Sequence, residues 1–311
     1  GHHSLTAITS GDYNTSIGAD TLKAITTQSN NTAVGFKAGE DSTASDGTFI
    51  GYKAGSKVTG AGNLAIGKDA LTAQTTGTYS LAIGHGVLQH SLDGSYNIGI
   101  GYGAMSDWDV GGSTNNTVDG SSHNTMIGVN AGGGAWTNVQ STGNVGIGNY
   151  VMDAAMDGAL YNVAIGYNSL TSLTTGDHNT TVGTGSGAAI NAGIANTVIG
   201  SGALDLLTSG NHNIAIGVDA ANTMDAGESH NYAIGSDSMG AMDEGASGTI
   251  DYNIAIGYTA LSGGAMSSTN SVSGCIAIGH FSLNSTGTNG HTGTIAIGYQ
   301  ALTALTSGAG N

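Results

Sequence analysis

The chain has 311 residues with 55 glycines and no proline, and only 8% of its residues are charged, giving a formal net charge of −16. Glycine follows no three-residue period and proline is absent, which excludes collagen, while the regular spacing of the apolar residues argues against disorder. The five basic residues are all lysines and none follows Lys68, so we expect no nucleic-acid partner and no attraction to anionic membrane surfaces. No stretch is long and apolar enough for membrane insertion.

The chain begins Gly1-His2-His3 without an initiator Met, which indicates processing or a tag remnant, and no signal peptide is visible. Its one cysteine, Cys275, has no partner with which to form an intrachain disulfide.

A repeat of mostly 16 to 18 residues runs along the chain, and each unit is marked by a Gly that follows Ile or Val. Sixteen units carry it, with Asn four residues before the Gly in twelve of them, and the consensus is N-x-A-I-G-x-x-A-L followed by a polar turn. Representative structural positions are Gly67, Gly166, Gly217, Gly257, Gly298, Asn63, Asn162, Asn213 and Asn253.

The repeat predicts an all-β solenoid of about sixteen short coils with about two strands in each unit, because β-branched residues beside Gly disfavour helix. A strand alternates faces, so Asn, Ala and Gly share one face and Ile shares the other with the residue two before it. We predict that the Ile face fills each coil and that the small Asn-Ala-Gly face contacts a neighbouring subunit. The Gly fits a positive-φ turn or a close backbone approach, and the Asn fits a turn or an amide ladder.

We expect one rod over residues 1–311, with widened loops near 102–124, 129–144, 236–253 and 258–275, where the repeat spacing increases. Insertions in solenoids often form a binding face. Trp108, flanked by Asp107 and Asp109, and Trp136 after three glycines are therefore candidate ligand-binding residues. The alternative is that each Trp packs its loop against the rod or a neighbouring subunit.

A second pattern is Tyr or His directly before the repeat Asn, which predicts an aromatic and imidazole stripe along stacked coils. It includes Tyr13, Tyr79, Tyr96, His123, Tyr161, His178, His212, His230 and Tyr252. We favour a hydrogen-bonding stripe over a metal site, since no carboxylate or Cys recurs at ligand spacing. Asp107 with Asp109, or Asp41 with Asp46, fits weak Ca²⁺ binding, but solvated loop carboxylates are the commoner arrangement.

No phosphate-binding loop, nucleophile elbow or supported dinucleotide motif is found, so we expect neither an enzyme nor a resident cofactor. The units NLAIGKDAL (63–71), NVAIGYNSL (162–170), NIAIGYTAL (253–261) and TIAIGYQAL (294–302) resemble the head repeats of YadA-like trimeric autotransporter adhesins and the repeats of phage tail-fibre proteins. That resemblance implies a left-handed parallel β-roll assembled as a parallel homotrimer.

The leading hypothesis is an extracellular trimeric fibre, on a virion or a bacterial surface, that attaches through its loops to a glycan or protein receptor of a host or other surface. The main alternative is a structural fibre or spacer without a specific ligand. An ice-binding solenoid is a third possibility, but the Thr positions alternate irregularly with Ile.

Overall fold

The computed structural model describes residues 1–91, 93–106, 120–136, 139–242, 249–263, 271–284, 290–305 and 308–310. These residues form two compact units, Gly1–Tyr161 and Asn162–Asn311. Each is an all-β parallel solenoid with eight repeat strands, and the units together hold about 14 turns. Within the described ranges the chain has no helix, and so none that could cross a membrane.

The first unit contains strands of three residues, one for each repeat, and consecutive strands pair in parallel. Residues at the same repeat position pair with each other, as in Leu64 with Leu81 and Ala65 with Ala82. The strands are β1 (Thr15–Ile17), β2 (Thr32–Val34), β3 (Thr48–Ile50), β4 (Leu64–Ile66), β5 (Leu81–Ile83), β6 (Ile98–Ile100), β7 (Thr125–Ile127) and β8 (Val145–Ile147).

The second unit repeats this arrangement and adds a second parallel sheet of two-residue strands, β14-β16-β18-β20. The prediction of two strands in every repeat is therefore wrong for the described residues, where a second strand occurs only beside the last repeats. The strands are β9 (Val163–Ile165), β10 (Thr180–Val182), β11 (Thr197–Ile199), β12 (Ile214–Ile216), β13 (Tyr232–Ile234), β14 (Ile250–Asp251), β15 (Ile254–Ile256), β16 (Val272–Ser273), β17 (Ile276–Ile278), β18 (His291–Thr292), β19 (Ile295–Ile297) and β20 (Gly308–Ala309).

The interior of each coil is filled by small side chains from the strand together with larger ones from the following turn. The central strand residue is buried in nearly every repeat, as are the Ala, Ser or Thr three residues after the Gly and most of the Leu and Met residues that follow it. In the coil of β12, for example, Asn213, Ala215 and Ala220 are buried, whereas Ile214 and Ile216 are partly exposed.

The predicted alternation of faces is thus confirmed, but the assignment of the two faces is wrong. The Asn-Ala-Gly face points into the coil and the Ile face points outward. The physical reason is hydrogen bonding, since a buried amide must be paired, and the carbonyl groups that pair it lie inside the coil.

The repeat asparagines form a ladder of side-chain amides inside both units, which confirms the ladder interpretation. Asn196 Nδ2 donates to Asn179 Oδ1 at 3.0 Å and to the Gly210 carbonyl at 2.8 Å. Asn196 Oδ1 accepts from the backbone N–H and the Nδ2 of Asn213, both at 3.0 Å. The amide therefore has partners for both donors and for both lone pairs of its oxygen.

The repeat Gly serves both predicted purposes. Gly166 has φ +143°, and a Cβ built on it would overlap the carbonyl oxygen of Gly183 in the next coil. Elsewhere in each coil the turns use residues with φ near +55°, including non-glycine residues such as Asn168 and Leu170. Glycine is therefore required here for two reasons: its backbone φ is positive, and the carbonyl group of the next coil leaves no room for a side chain.

Replacing Gly166 with Ala tests this close approach, with Gly185→Ala as the matched control. Gly185 has φ +64° but nothing within 4 Å of an added Cβ. Its loss of unfolding free energy should be about 1–2 kcal/mol, the cost of left-handed backbone. Gly166→Ala should lose more, since overlap adds to a conformational cost of about 1–3 kcal/mol. Equal losses in urea unfolding would contradict the close approach.

The amide ladder predicts a difference between two substitutions of Asn196. Asn196→Leu keeps the branched shape but removes the bond to the Gly210 carbonyl, the bonds that Asn213 N–H and Nδ2 donate to Asn196 Oδ1, and one of the two bonds to Asn179 Oδ1. Each buried group left unpaired should cost about 1–3 kcal/mol. Asn196→Ser should be milder, because Ser80 already occupies a ladder position and bonds through its hydroxyl. Thermal and urea unfolding of both variants measures the difference, and a Leu variant as stable as the Ser variant would argue against the ladder.

Candidate functional site

We call the surface formed by the first and third residues of the repeat strands the outer strand face. The sixteen repeat strands are β1–β13, β15, β17 and β19. The first residue is Thr, Leu, Ile, Val or Tyr and the third is Ile or Val, so none of these positions is charged. Their side chains are partly or largely exposed: Ile199 is 41% exposed and Ile256 38%. An acidic chain therefore carries an uncharged, mainly apolar face on each unit.

A second surface is the Tyr/His ladder, formed by the residues directly before the repeat Asn. In the first unit, Tyr79 stacks on Tyr96 with ring centroids 5.4 Å apart, and Tyr96 on His123 at 5.0 Å. In the second unit, His230 lies 5.1 Å from His212 and 4.9 Å from Tyr252. The predicted stripe is thus present in both units.

The backbone explains how the Tyr/His ladder is held at the surface. Each of these residues has φ between about +54° and +62°, which turns the chain immediately before the buried Asn. Tyr79, Tyr96 and Tyr252 remain more than half exposed. Because the ring faces are covered by neighbouring rings, the ladder presents ring edges and hydroxyl groups to a partner.

Of the two tryptophans, only Trp136 lies among the described residues. Asp107, Trp108 and Asp109 lie outside the described residues, so their ligand-binding role stays a prediction. Trp136 is only 5% exposed and its ring packs near Gly132, beside Met126. That burial leaves little of the ring for stacking on a ligand and favours the packing role for Trp136.

All five lysines of the chain lie in the first unit, where three of them line a shallow groove of about 420 Å³. Lys37, Lys53 and Lys57 alternate there with Glu40, Asp41 and Asp69. Lys37 Nζ donates to Glu40 Oε1 at 3.0 Å, and this hydrogen bond raises the pKa of the lysine. The groove lining is therefore balanced in charge, with three lysines and three carboxylates.

Of the two predicted carboxylate pairs, Asp107 with Asp109 lies outside the described residues, so only Asp41 and Asp46 can be located. Asp46 accepts a hydrogen bond of 2.9 Å from Asn30 Nδ2. Among the described residues, one group of three His, Cys, Asp or Glu side chains has donor atoms that converge: His2, His3 and Asp20. Neither Asp41 nor Asp46 belongs to it.

Sequence reasoning misses this group because Gly1-His2-His3, without an initiator Met, indicates a processed end or a tag remnant. The structure places Gly1–Leu5 in repeat register with Gly18–Leu22. A Cβ on Gly1 would overlap the Gly18 carbonyl, as at the other repeat glycines, and Asp20 N–H donates to the His2 carbonyl at 2.8 Å. The signal was available, since G-H-H-S-L fits the repeat pattern of Gly, two variable residues, a small residue and Leu.

Comparison with known proteins gives no relative from which a function can be transferred. No protein-family model, no curated protein and no solved structure matches the chain.

Proposed function

We propose that this chain is an extracellular fibre protein that self-associates through its outer strand face and attaches to a host or other surface. The observation that carries the proposal is the uncharged apolar strand face on a chain with a net charge of −16. Two copies of an acidic chain repel each other where their carboxylates come close, and this repulsion is smallest at a surface without charged residues. Contact between the outer strand faces of two copies removes their apolar side chains from water and brings few charges together.

The size of the face supports an interface. Eight strands spaced by about 4.8 Å, each about 10 Å long, present roughly 340 Å² in each unit. Apolar patches of this size on soluble proteins are often functional. A partner with the same face is the natural occupant, because matching rows of Ile and Val at a common repeat allow copies to pack side by side.

The likeness of the repeats to YadA-like heads and phage tail-fibre repeats extends this proposal. On that basis the solenoid would be left-handed and the assembly a parallel homotrimer, located on a virion or a bacterial surface. The acidic, lysine-poor composition is compatible with that location, since the chain offers trypsin-like proteases only five lysines and none after Lys68. A purely structural spacer would have the same assembly and no receptor.

Two carboxylates on the outer strand face test the assembly. We expect the wild-type protein to be trimeric by sedimentation equilibrium and the double variant Ile199→Asp/Ile234→Asp to be monomeric with an unchanged circular dichroism spectrum. The reason is that both side chains are exposed on the folded unit, so charge there opposes association rather than folding. Val218→Asp is the matched control, exposed but outside the strand face.

The assembly proposal fails if the wild-type protein is a monomer at micromolar concentration. It also fails if the double variant keeps the wild-type mass, because the interface would then lie elsewhere.

Attachment is tested separately from assembly, on a glycan array and on whole cells, with two tryptophan variants. We expect the wild-type protein to bind and Trp108→Ala to lose at least about tenfold in affinity, as for an aromatic anchor at an interface. Trp136→Ala should bind like wild type below its melting temperature, since Trp136 is buried. A trimer that binds no glycan and no cell would identify a spacer.

A further inference from the structure

We propose that His2, His3 and Asp20 of the first unit bind a divalent transition-metal ion of the Zn²⁺ class. Each side chain offers one donor atom, and the three donor atoms lie within 4.8 Å of one another. This site is independent of the outer strand face and of the proposed fibre function.

The repeat itself sets the position of the three ligands. The backbone of Gly1–Leu5 forms the coil next to that of Gly18–Leu22, with a hydrogen bond of 2.8 Å from Asp20 N–H to the His2 carbonyl and one of 3.2 Å from Leu5 N–H to the Thr21 carbonyl. His3 and Asp20 therefore occupy the same repeat position in adjacent coils. Their side chains approach each other because the coils are stacked in register.

Backbone conformation brings the second imidazole to the same side. Consecutive residues of an extended chain point in opposite directions. His3 instead has φ +53°, and the ring centroids of His2 and His3 lie only 3.7 Å apart with the planes tilted by 47°. His3 Nδ1 lies 3.2 Å from Asp20 Oδ1, so a carboxylate faces the imidazole pair.

The donor set indicates the class of ion. Two imidazole nitrogens and one carboxylate oxygen suit Zn²⁺, Co²⁺, Ni²⁺ or Cu²⁺, whereas Ca²⁺ and Mg²⁺ prefer all-oxygen sites. Three protein ligands leave a fourth tetrahedral position for water or for a donor group of a partner. Both His side chains are exposed, so the site is accessible from solvent.

The chain supplies a matched comparison. His212 and His230 also form a close imidazole pair, 5.1 Å between ring centroids, on adjacent coils of the second unit. That pair belongs to no converging group of three His, Cys, Asp or Glu donors among the described residues. A variant of this pair therefore shows whether metal binding needs three converging donors or only two neighbouring histidines.

The experiment is isothermal titration of the full chain with ZnCl₂ in a phosphate-free buffer, with wild type, Asp20→Asn, His2→Ala, His3→Ala and His212→Ala. We expect one Zn²⁺ for each chain. Each of the first three variants should weaken binding by at least about tenfold, since loss of even an outer partner of a metal ligand costs 10–100-fold. His212→Ala should bind like wild type.

Co²⁺ provides a second readout, because visible absorption bands of Co²⁺ report on its ligand geometry. Wild type and His212→Ala should give the same bands, and Asp20→Asn should lose or shift them. Metal-free melting temperatures of all variants should agree, since the three ligands are not part of the core. Binding that is unchanged in Asp20→Asn, or that needs His3 but neither His2 nor Asp20, would overturn the proposal.

Discussion

A buried asparagine in most coils needs partners for its amide, and this requirement determines which side of each strand faces inward. The partners are the amide of the preceding coil and a turn carbonyl, as Asn179 shows by donating to Asn162 at 3.0 Å and to the Gly193 carbonyl at 2.7 Å. Ala and Gly alternate with Asn on the same strand face and are therefore buried with it. The Ile row must then lie outside.

Several other features follow from that arrangement. A strand whose inner side chains are small allows coils to be narrow. The strand spacing of about 4.8 Å between stacked coils places most repeat glycines against the carbonyl group of the next. Since each coil touches its neighbours, stability accumulates along a solenoid by nearest-neighbour contacts. Substituted ladder positions keep the hydrogen bonding where they can: Ser80 bonds through its hydroxyl, and the N–H of Cys275 donates to Asn253 Oδ1 at 2.9 Å.

The repeat period, the parallel register, the Gly conformation, the amide ladder and the Tyr/His stripe could all be predicted from sequence, because each depends on spacing or on one residue type. The orientation of the strand could not, because hydrophobicity places Ile inside whereas hydrogen bonding places Asn there. A second strand was expected in every repeat, but the described residues form one only beside the last repeats, where Ile250 pairs with Val272. Of the candidate site residues, Trp136 is buried, Asp107–Asp109 lie outside the described residues, and His2 and His3 were not considered part of the repeat.

Hydrogen exchange of the asparagine side-chain amides, followed by NMR on protein labelled with ¹⁵N at Asn, tests the orientation of the strands most directly. The buried ladder should retain its side-chain amide protons far longer than the exposed surface residues Asn149 and Asn191, whatever the oligomeric state. Ladder amides that exchange as fast as those surface amides would show that the Asn side chains face water and that the Ile row lies inside.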